Sequence, residues 1–481
     1  MRQNHPHFRT IGLIIGAAMF MEQLDGTVLT TALPAMARDM GVSAPAMSIA
    51  LTSYLISLAI FIPMSGRVAD RFGARNIFRA AMAMFAAGSL ACALAPNLAL
   101  LVLARFVQGL GGAMMMPVGR LVLLRSVEKR HLISAMSWVL VPAMLGPILG
   151  PPVGGFIVTY FNWRWIFYIN LPVAAVGVLL VSLFIPDVPG DPPRPADPFG
   201  MMTSSLSLAS LLFGFELASH PGEGGRALTL LAIGVVAGLL YLRHARRIRH
   251  PILDFRHLRD PSYGTSVIAG SLTRITQGAQ PFLLALLLQL DFGLSAAQSG
   301  LTVLATALGT VAMKALTPKI LRRFGFRDSL TVCGIGASLG YMSCALFRPG
   351  WPFPLIFLLL MLAGFFMSFQ FSAYNTIAYD KIAPDEISSA TSLYTTLQQL
   401  MLSLGICAGA LALQATMGLQ GHAGPQFSDF SAAFVTVTAI SLAATAWNMR
   451  FSPEAGTEIS GHTPRTWSLR QALRELRGIT P

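Results

Sequence analysis

Four charged side chains stand inside long apolar runs: Glu22, Asp25, Arg105 and Arg274. A charge in such a run is costly and normally faces a bundle interior or a water-filled cavity, so chemistry is expected from these four. Glu22 and Asp25 are three residues apart, which puts both carboxylates on one helical face and couples them electrostatically. One of the two is therefore expected to titrate at an accessible pH. Sliding the sequence on itself by 252 places Glu22 on Arg274 and Gly26 on Gly278. Two readings of that correspondence stay open. In one, Glu22 and Arg274 form a static ion pair that fixes packing; in the other, protonation of an acid releases Arg274 and changes which side a cavity faces. Lys314 and Glu216 are further charges within apolar runs, and Glu216, near a run's end, is expected to reach water.

The elements that must position these residues follow from composition. Of 481 residues, 54% are hydrophobic and 11% charged, against about 25% charged in a soluble protein. A soluble globule is excluded, and the solvent is a bilayer. A span takes about 20 residues, and the chain offers fourteen apolar runs, the first at 10–33, the seventh and eighth at 198–218 and 226–243, and the last at 429–448. Counting Lys and Arg in alternate connections gives 27 on one side, 4 on the other and 3 within spans. The positive-inside rule then places both termini in the cytoplasm.

The formal charge of +13 sits in short clusters between spans, so no nucleic-acid partner is expected. The arginines between Arg243 and Asp260 read as a linker lying on anionic lipid. The tail from Arg465 to Arg477 reads either as an interfacial helix or as disorder. Cys92, Cys333, Cys344 and Cys407 all lie in apolar stretches, without metal-ligand spacing, and read as core residues. No secretory signal is expected, because the first run carries Glu22 and Asp25 at its middle. None of the four lysines follows a glycine, so there is no phosphate-binding GK[ST], and no HExxH occurs. An ATP-driven pump and a membrane-embedded enzyme are excluded on those grounds. No metal or cofactor is expected.

The offset of 252 also places Gly41, Ser43 and Ala44 on Gly293, Ser295 and Ala296, and Arg71, Phe72, Gly73 and Arg75 on Arg323, Phe324, Gly325 and Arg327. Two related halves are expected, with a substrate site at the midplane between them and alternating access by rocking. The expected fold is all-α and membrane-integral, with fourteen transmembrane helices: two pseudo-symmetric six-helix halves plus two inserted linker helices. The corresponding divisions are a first bundle over 1–190, inserted helices and linker over 191–260, a second bundle over 261–450 and a basic cytoplasmic tail over 451–481.

Gly66-Arg67-Val68-Ala69-Asp70-Arg71-Phe72-Gly73-Ala74-Arg75 resembles the loop signature between spans two and three of the major facilitator superfamily. Leu24-Asp25-Gly26-Thr27, the segment Arg105 to Ala113, Gly146 to Gly155 and Trp163 to Pro172 are similar, in order, to motifs of its fourteen-span drug:proton antiporters of the EmrB/QacA type. With Phe371 to Thr376, the pattern looks most like the MdtD branch. The resemblance implies a proton-coupled exporter of small lipophilic compounds, cations among them, working by alternating access. An exporter or uniporter of one specific metabolite is the alternative.

It further implies a proton-transfer role for Arg105 near the first-span acid, with Asp25 or Glu22 as its partner, so that with Arg274 from the internal offset the proton-coupling candidates are Asp25, Glu22, Arg105 and Arg274. It also implies a gating loop of Gly66, Asp70, Arg71, Gly73 and Arg75, and an antiporter motif of Gly146, Pro147, Gly150, Pro151, Gly154 and Gly155 that seals the contact between halves. Gln108, Met114, Gln277 and Gln280 are the candidate cavity residues. The implied partners are the substrate, protons and lipid. The implied location is the cytoplasmic (inner) membrane, as a monomer. The sequence departs from the pattern at Arg322, which stands where the second copy would repeat Asp70.

Overall fold

A computed structural model describes residues 8–128, 131–186, 197–218, 222–248, 251–383 and 386–462. The described residues form helices and no strands. They are α1 (Phe8–Val28), α2 (Leu33–Met40), α3 (Ser48–Phe72), α4 (Ala74–Leu94), α5 (Leu98–Ser126), α6 (Leu132–Tyr160), α7 (Trp165–Tyr168) and α8 (Asn170–Phe184). There follow α9 (Pro198–Ala218), α10 (Gly224–Ala245), α11 (Pro261–Leu286), α12 (Ala296–Ser343), α13 (Phe353–Ile377), α14 (Ile387–Gln420), α15 (Phe427–Trp447) and α16 (Thr457–Ser460). The segment from Arg465 to Arg477 lies outside the described residues.

Twelve helical stretches among the described residues are long and apolar enough to cross a membrane. One of them, Ala296–Leu346, runs 51 residues. At Gly325 its backbone leaves the helical region with a φ of 71°, so the chain turns back there. Gly73, between α3 and α4, has a φ of 85°. A side chain is strained in this left-handed region, which is why glycine stands at both reversals. Large apolar side chains such as Met202, Leu183, Leu228 and Val332 are exposed on the outside of the bundle, as hydrocarbon contact requires.

Burial distinguishes the two ends. At the end bearing the α2 and α12 N-terminal segments, one apolar cluster joins both parts of the chain: Leu29, Leu33, Met36 and Leu51 pack with Phe282, Leu286, Phe430 and Phe434. Gln289 donates to the Thr31 carbonyl across this end at 3.0 Å, and the Ala297 amide donates to Thr159 Oγ1 at 3.0 Å. At the opposite end the cores are separate. One gathers Ile11, Phe78 and Val122, and the other Leu321, Phe326 and Phe369. We call these the closed and the open end.

The connector after α10 is docked rather than loose. Tyr241 donates to the Leu253 carbonyl at 2.9 Å and accepts from the Leu253 amide at 2.7 Å, while Ile252 and Leu253 pack against Tyr263 and Tyr394. Burial works to raise the Asp254 carboxyl, yet the hydrogen bonds from the Arg256 side chain and amide outweigh it and hold it below the usual carboxylate range. The apolar residues among the arginines thus give the linker a protein face, which its charge alone does not reveal.

Candidate functional site

Asp25 lies on α1 and Arg105 on α5, both essentially without solvent exposure. Arg105 Nη1 donates to Asp25 Oδ2 at 2.6 Å and to Gln108 Oε1 at 2.7 Å, and its Nε donates to the Ala50 carbonyl at 3.2 Å. Asp25 Oδ1 accepts from Gln108 Nε2 and from Asn170 Nδ2, each at 2.9 Å. Asn170 in turn donates to Ser89, whose hydroxyl donates to the Phe167 carbonyl. A buried charge pair is tolerated when its remaining lone pairs and protons are satisfied, and both oxygens of Asp25 are so occupied. The guanidinium also stacks over the Tyr54 ring, with its carbon 4.4 Å from the centroid.

Glu22 shares the α1 face one turn earlier and differs in its bonding. It is 8% exposed, and its Oε2 has no hydrogen-bond partner. One residue beyond Asp25, Gly26 faces open space, with no atom within 4 Å of where a Cβ would stand. The α1 helix therefore presents one carboxylate with both oxygens hydrogen-bonded and a second with a buried oxygen that has no hydrogen-bond partner.

Arg274 is not paired with Glu22. Its Nη1 donates to Gln277 Oε1 at 2.8 Å, its guanidinium carbon lies 4.2 Å from the Phe371 ring centroid, and its Nη2 is buried without a partner. The static Glu22–Arg274 pair is thus absent from this conformation. Gln280 is buried with its amide nitrogen unpartnered. Gln108, read as a cavity residue, is instead part of the Asp25 network, because Arg105 one turn away claims its carbonyl. Met114 packs against the core of the first half, beside the buried Met115.

At the open end, Asp70 bonds to neither Arg71 nor Arg75. Helix α3 continues through Phe72, so Asp70 stands on its last turn and accepts from Arg125 Nη2, on α5, at 2.8 Å. Arg75 donates to the Ser182 carbonyl on α8, and Arg71 lies over Phe72. A Cβ on Gly66 would meet open space.

The glycine stripe of α6 has a different neighbour from the one expected. Cβ atoms on Gly146, Gly150 and Gly154 would strike Gln23, Thr27 and Val28, all on α1 of the same half. Gly12 and Gly16 of α1 extend the close approach along Trp138, Val139 and Pro142. Such small-residue faces let helix backbones approach closely. The contact with α12 belongs to the next face of α6: Gly155 abuts Ala296 and Ala297, and Gly300 abuts Pro151 and Pro152. One residue turns a helix by about 100°, which is enough to move from one neighbour to the other.

Two unassigned charges also find places. Lys314 is exposed, on the part of α12 approaching the open end, where a lysine reaches the interface along its own stem. Glu216 does not reach water; it is fully buried. Sequence reading did not single out Asn170, Ser89 or Tyr54. Asn170 carried a usable signal as an amide opening an otherwise apolar run, but nothing local indicated that it faces Asp25, which is 145 residues away.

These features can be set beside known proteins. A sequence model described as Major Facilitator Superfamily matches residues 15–406. A Salmonella heidelberg protein named MdtD, assigned by its name to multidrug resistance, is 37% identical over 404 residues, covering 83% of this chain and 85% of its own. The Escherichia coli O17:K52:H18 protein of the same name is 36% identical over the same length. The fold is shared with an auto-inhibited POT family peptide transporter, at a TM-score of 0.66 and 15% identity over 92% of this chain and 97% of that one. A D-xylose–proton symporter gives 0.64 and 16% over 93% and 98%. This chain therefore belongs to the Major Facilitator Superfamily, as a multi-pass membrane transporter and not an enzyme.

Proposed function

We propose that this transporter is a proton-coupled exporter, exchanging protons for small lipophilic compounds, cations among them, by alternating access. The observation that carries the coupling is the unequal carboxyl pair on α1. Asp25 holds three donors, whereas Glu22, three residues away, keeps an oxygen open. Glu22 is the carboxyl that takes and releases the proton, and Asp25 with Arg105 fixes the helix that presents it. The names of the MdtD relatives support drug export as the direction of transport. Proton entry can drive it, since one charge moving through 100 mV is worth about 2.3 kcal/mol.

The topology belongs to the same reading. Splitting Ala296–Leu346 at Gly325 and adding α11, whose 26 residues carry inward-facing polar groups, brings the apolar stretches to fourteen. Gly41 and Gly293 share a φ of 66°, and Gly73 and Gly325 are both left-handed, at the offset found in the sequence, which supports two related halves. Helices α9 and α10 are the insertion between them. With the basic connections in the cytoplasm, the open end faces inward and Asp70, paired to Arg125 within its own half, is a disengaged latch. No cofactor takes part; the proton gradient is the energy source.

The test is a proton-gradient assay in inside-out vesicles with a panel of lipophilic cations, neutral drugs and metabolites. Some compound is expected to collapse the gradient with the parent protein, and Glu22→Gln and Asp25→Asn are expected to abolish that collapse. Exchange of a labelled solute that continues undiminished in both variants would establish the uniporter reading instead.

A further inference from the structure

The buried acid Glu216 is not used by the coupling site. Glu216 stands near the end of α9 and is fully buried. The Ser48 hydroxyl donates to its Oε1 at 2.5 Å and the Thr52 hydroxyl to its Oε2 at 3.2 Å. The Cys407 thiol donates to Oε2 at 2.9 Å. Ser48 and Thr52 are on α3 and Cys407 is on α14. On the reading that α9 and α10 are inserted between two halves, one carboxylate from the insertion is bonded to both halves at once.

Its position gives that arrangement a consequence. Ser48 is the first residue of α3, next to the closed end, and the first turn of a helix carries the positive end of its dipole, which favours a carboxylate. A carboxylate taken out of water requires hydrogen-bond donors, so Ser48, Thr52 and Cys407, which each supply one, are drawn together around it. Rocking that opens the closed end must carry α3 away from α14, and Glu216 cannot follow both. Its two hydroxyl donors are on α3, and a thiol is a weaker donor than a hydroxyl. Just below, Leu212 of α9 is fully buried with Ile56 and Ile60 of α3, while Leu400 and Leu404 of α14 only flank that cluster. The bond to Cys407 is the one that parts.

We propose that Glu216 is an inter-half latch: its carboxylate holds α14 to α3 at the closed end, and the inserted helices travel with the first half when that end opens. The insertion then has a mechanical task, adding a breakable bond to a buried carboxylate to the two hydrogen bonds that the six-helix bundles make directly with each other at this end.

The test reads conformation and needs neither substrate nor gradient. The full chain is prepared with Cys92→Ala, Cys333→Ala, Cys344→Ala and Cys407→Ser, the last keeping a donor. Spin labels are placed at Arg38→Cys and Pro349→Cys, exposed positions on the two sides of the closed end, and their separation is measured by pulsed dipolar spectroscopy. Glu216→Leu is expected to raise the ratio of long-distance to short-distance molecules by about tenfold, the scale of one lost hydrogen bond to a charged group. Alanine in place of serine at position 407 is expected to shift the ratio the same way, and Glu216→Gln, which keeps an acceptor, by less. Should Glu216→Leu fail to fold, the alanine variant at 407 decides alone. An unchanged distance distribution overturns the latch, as does a shift with Ser48→Ala and Thr52→Ala but none on removing the donor at 407. A failed gradient assay alongside the expected distance shift would overturn proton exchange and leave the latch standing.

Discussion

Arg105 shows how a single side chain can specify a site. Its Nε and Nη1 reach a backbone carbonyl on α3, a carboxylate on α1 and an amide on its own helix, while its flat face covers Tyr54. A lysine has the charge without the fork or the face. Arg105→Lys is therefore expected to keep the ion pair with Asp25 and lose the bonds that orient it, leaving a folded protein with impaired exchange. Arg105→Gln leaves Asp25 as an uncompensated buried charge and is expected to destabilise by about 3–5 kcal/mol. Thermal unfolding of purified protein in detergent separates the two, because only the second variant should melt markedly earlier. Equal melting of both would show that the charge of Arg105 contributes nothing there. At the closed end, hydrogen bonds from Arg164 and Trp163 hold the exposed Asp39 carboxyl below its usual range. A lowered pKa keeps that contact at neutral pH and loses it only as pH falls through the lowered value, below 3.8. It takes no part in coupling near neutrality.

Helices α1 and α6 owe their close approach to glycine on both partners. A Cβ at Gly146 would stand 2.7 Å from Gln23 Cβ and 2.9 Å from the Leu24 amide nitrogen. Real side chains do not tolerate such separations, so any substitution displaces α1, which carries Glu22 and Asp25. Gly146→Leu is expected to cost about 1–3 kcal/mol by overpacking and to reduce exchange more than Gly418→Leu, which is placed in open space on α14. Unfolding temperatures and initial exchange rates measured side by side check this. Equal rates in the two variants would show that the spacing of α1 and α6 is not critical. The four prolines within α6 leave its helix continuous from Leu132 to Tyr160.

For the molecule as a whole, the decisive feature is the asymmetry between its ends. One apolar cluster joins the halves at the closed end, and two separate clusters serve them at the open end. Gly155 and Gly300 let the halves meet backbone to backbone at the closed end. A leucine at position 155 would act as a wedge against Ala296 and Ala297. Gly155→Leu is accordingly expected to favour opening of this end, seen as a longer Arg38→Cys to Pro349→Cys distance, while leaving the Asp25 network intact. A distance distribution identical to that of the parent would mean that the contact does not set the conformational balance.

Much of this was legible in the chain before it folded. Composition and apolar run length require a helical membrane protein, since backbone groups in hydrocarbon must be bonded within their own segment. The motif from Gly66 to Arg75 and the acid pair on α1 indicated the family and where the charges would matter. The partners were not legible. Asp25 meets Asn170, Asp70 meets Arg125 and Glu216 meets Cys407 across 145, 55 and 191 residues. The small residues of α6 were visible, but which face meets α1 and which meets α12 was not, because one residue of rotation separates them. Local sequence sets helix, span and charge through short-range bonding and transfer from water. Only the packing of helices far apart in the chain decides which buried charges are satisfied, which oxygen stays open and which end of the molecule is closed.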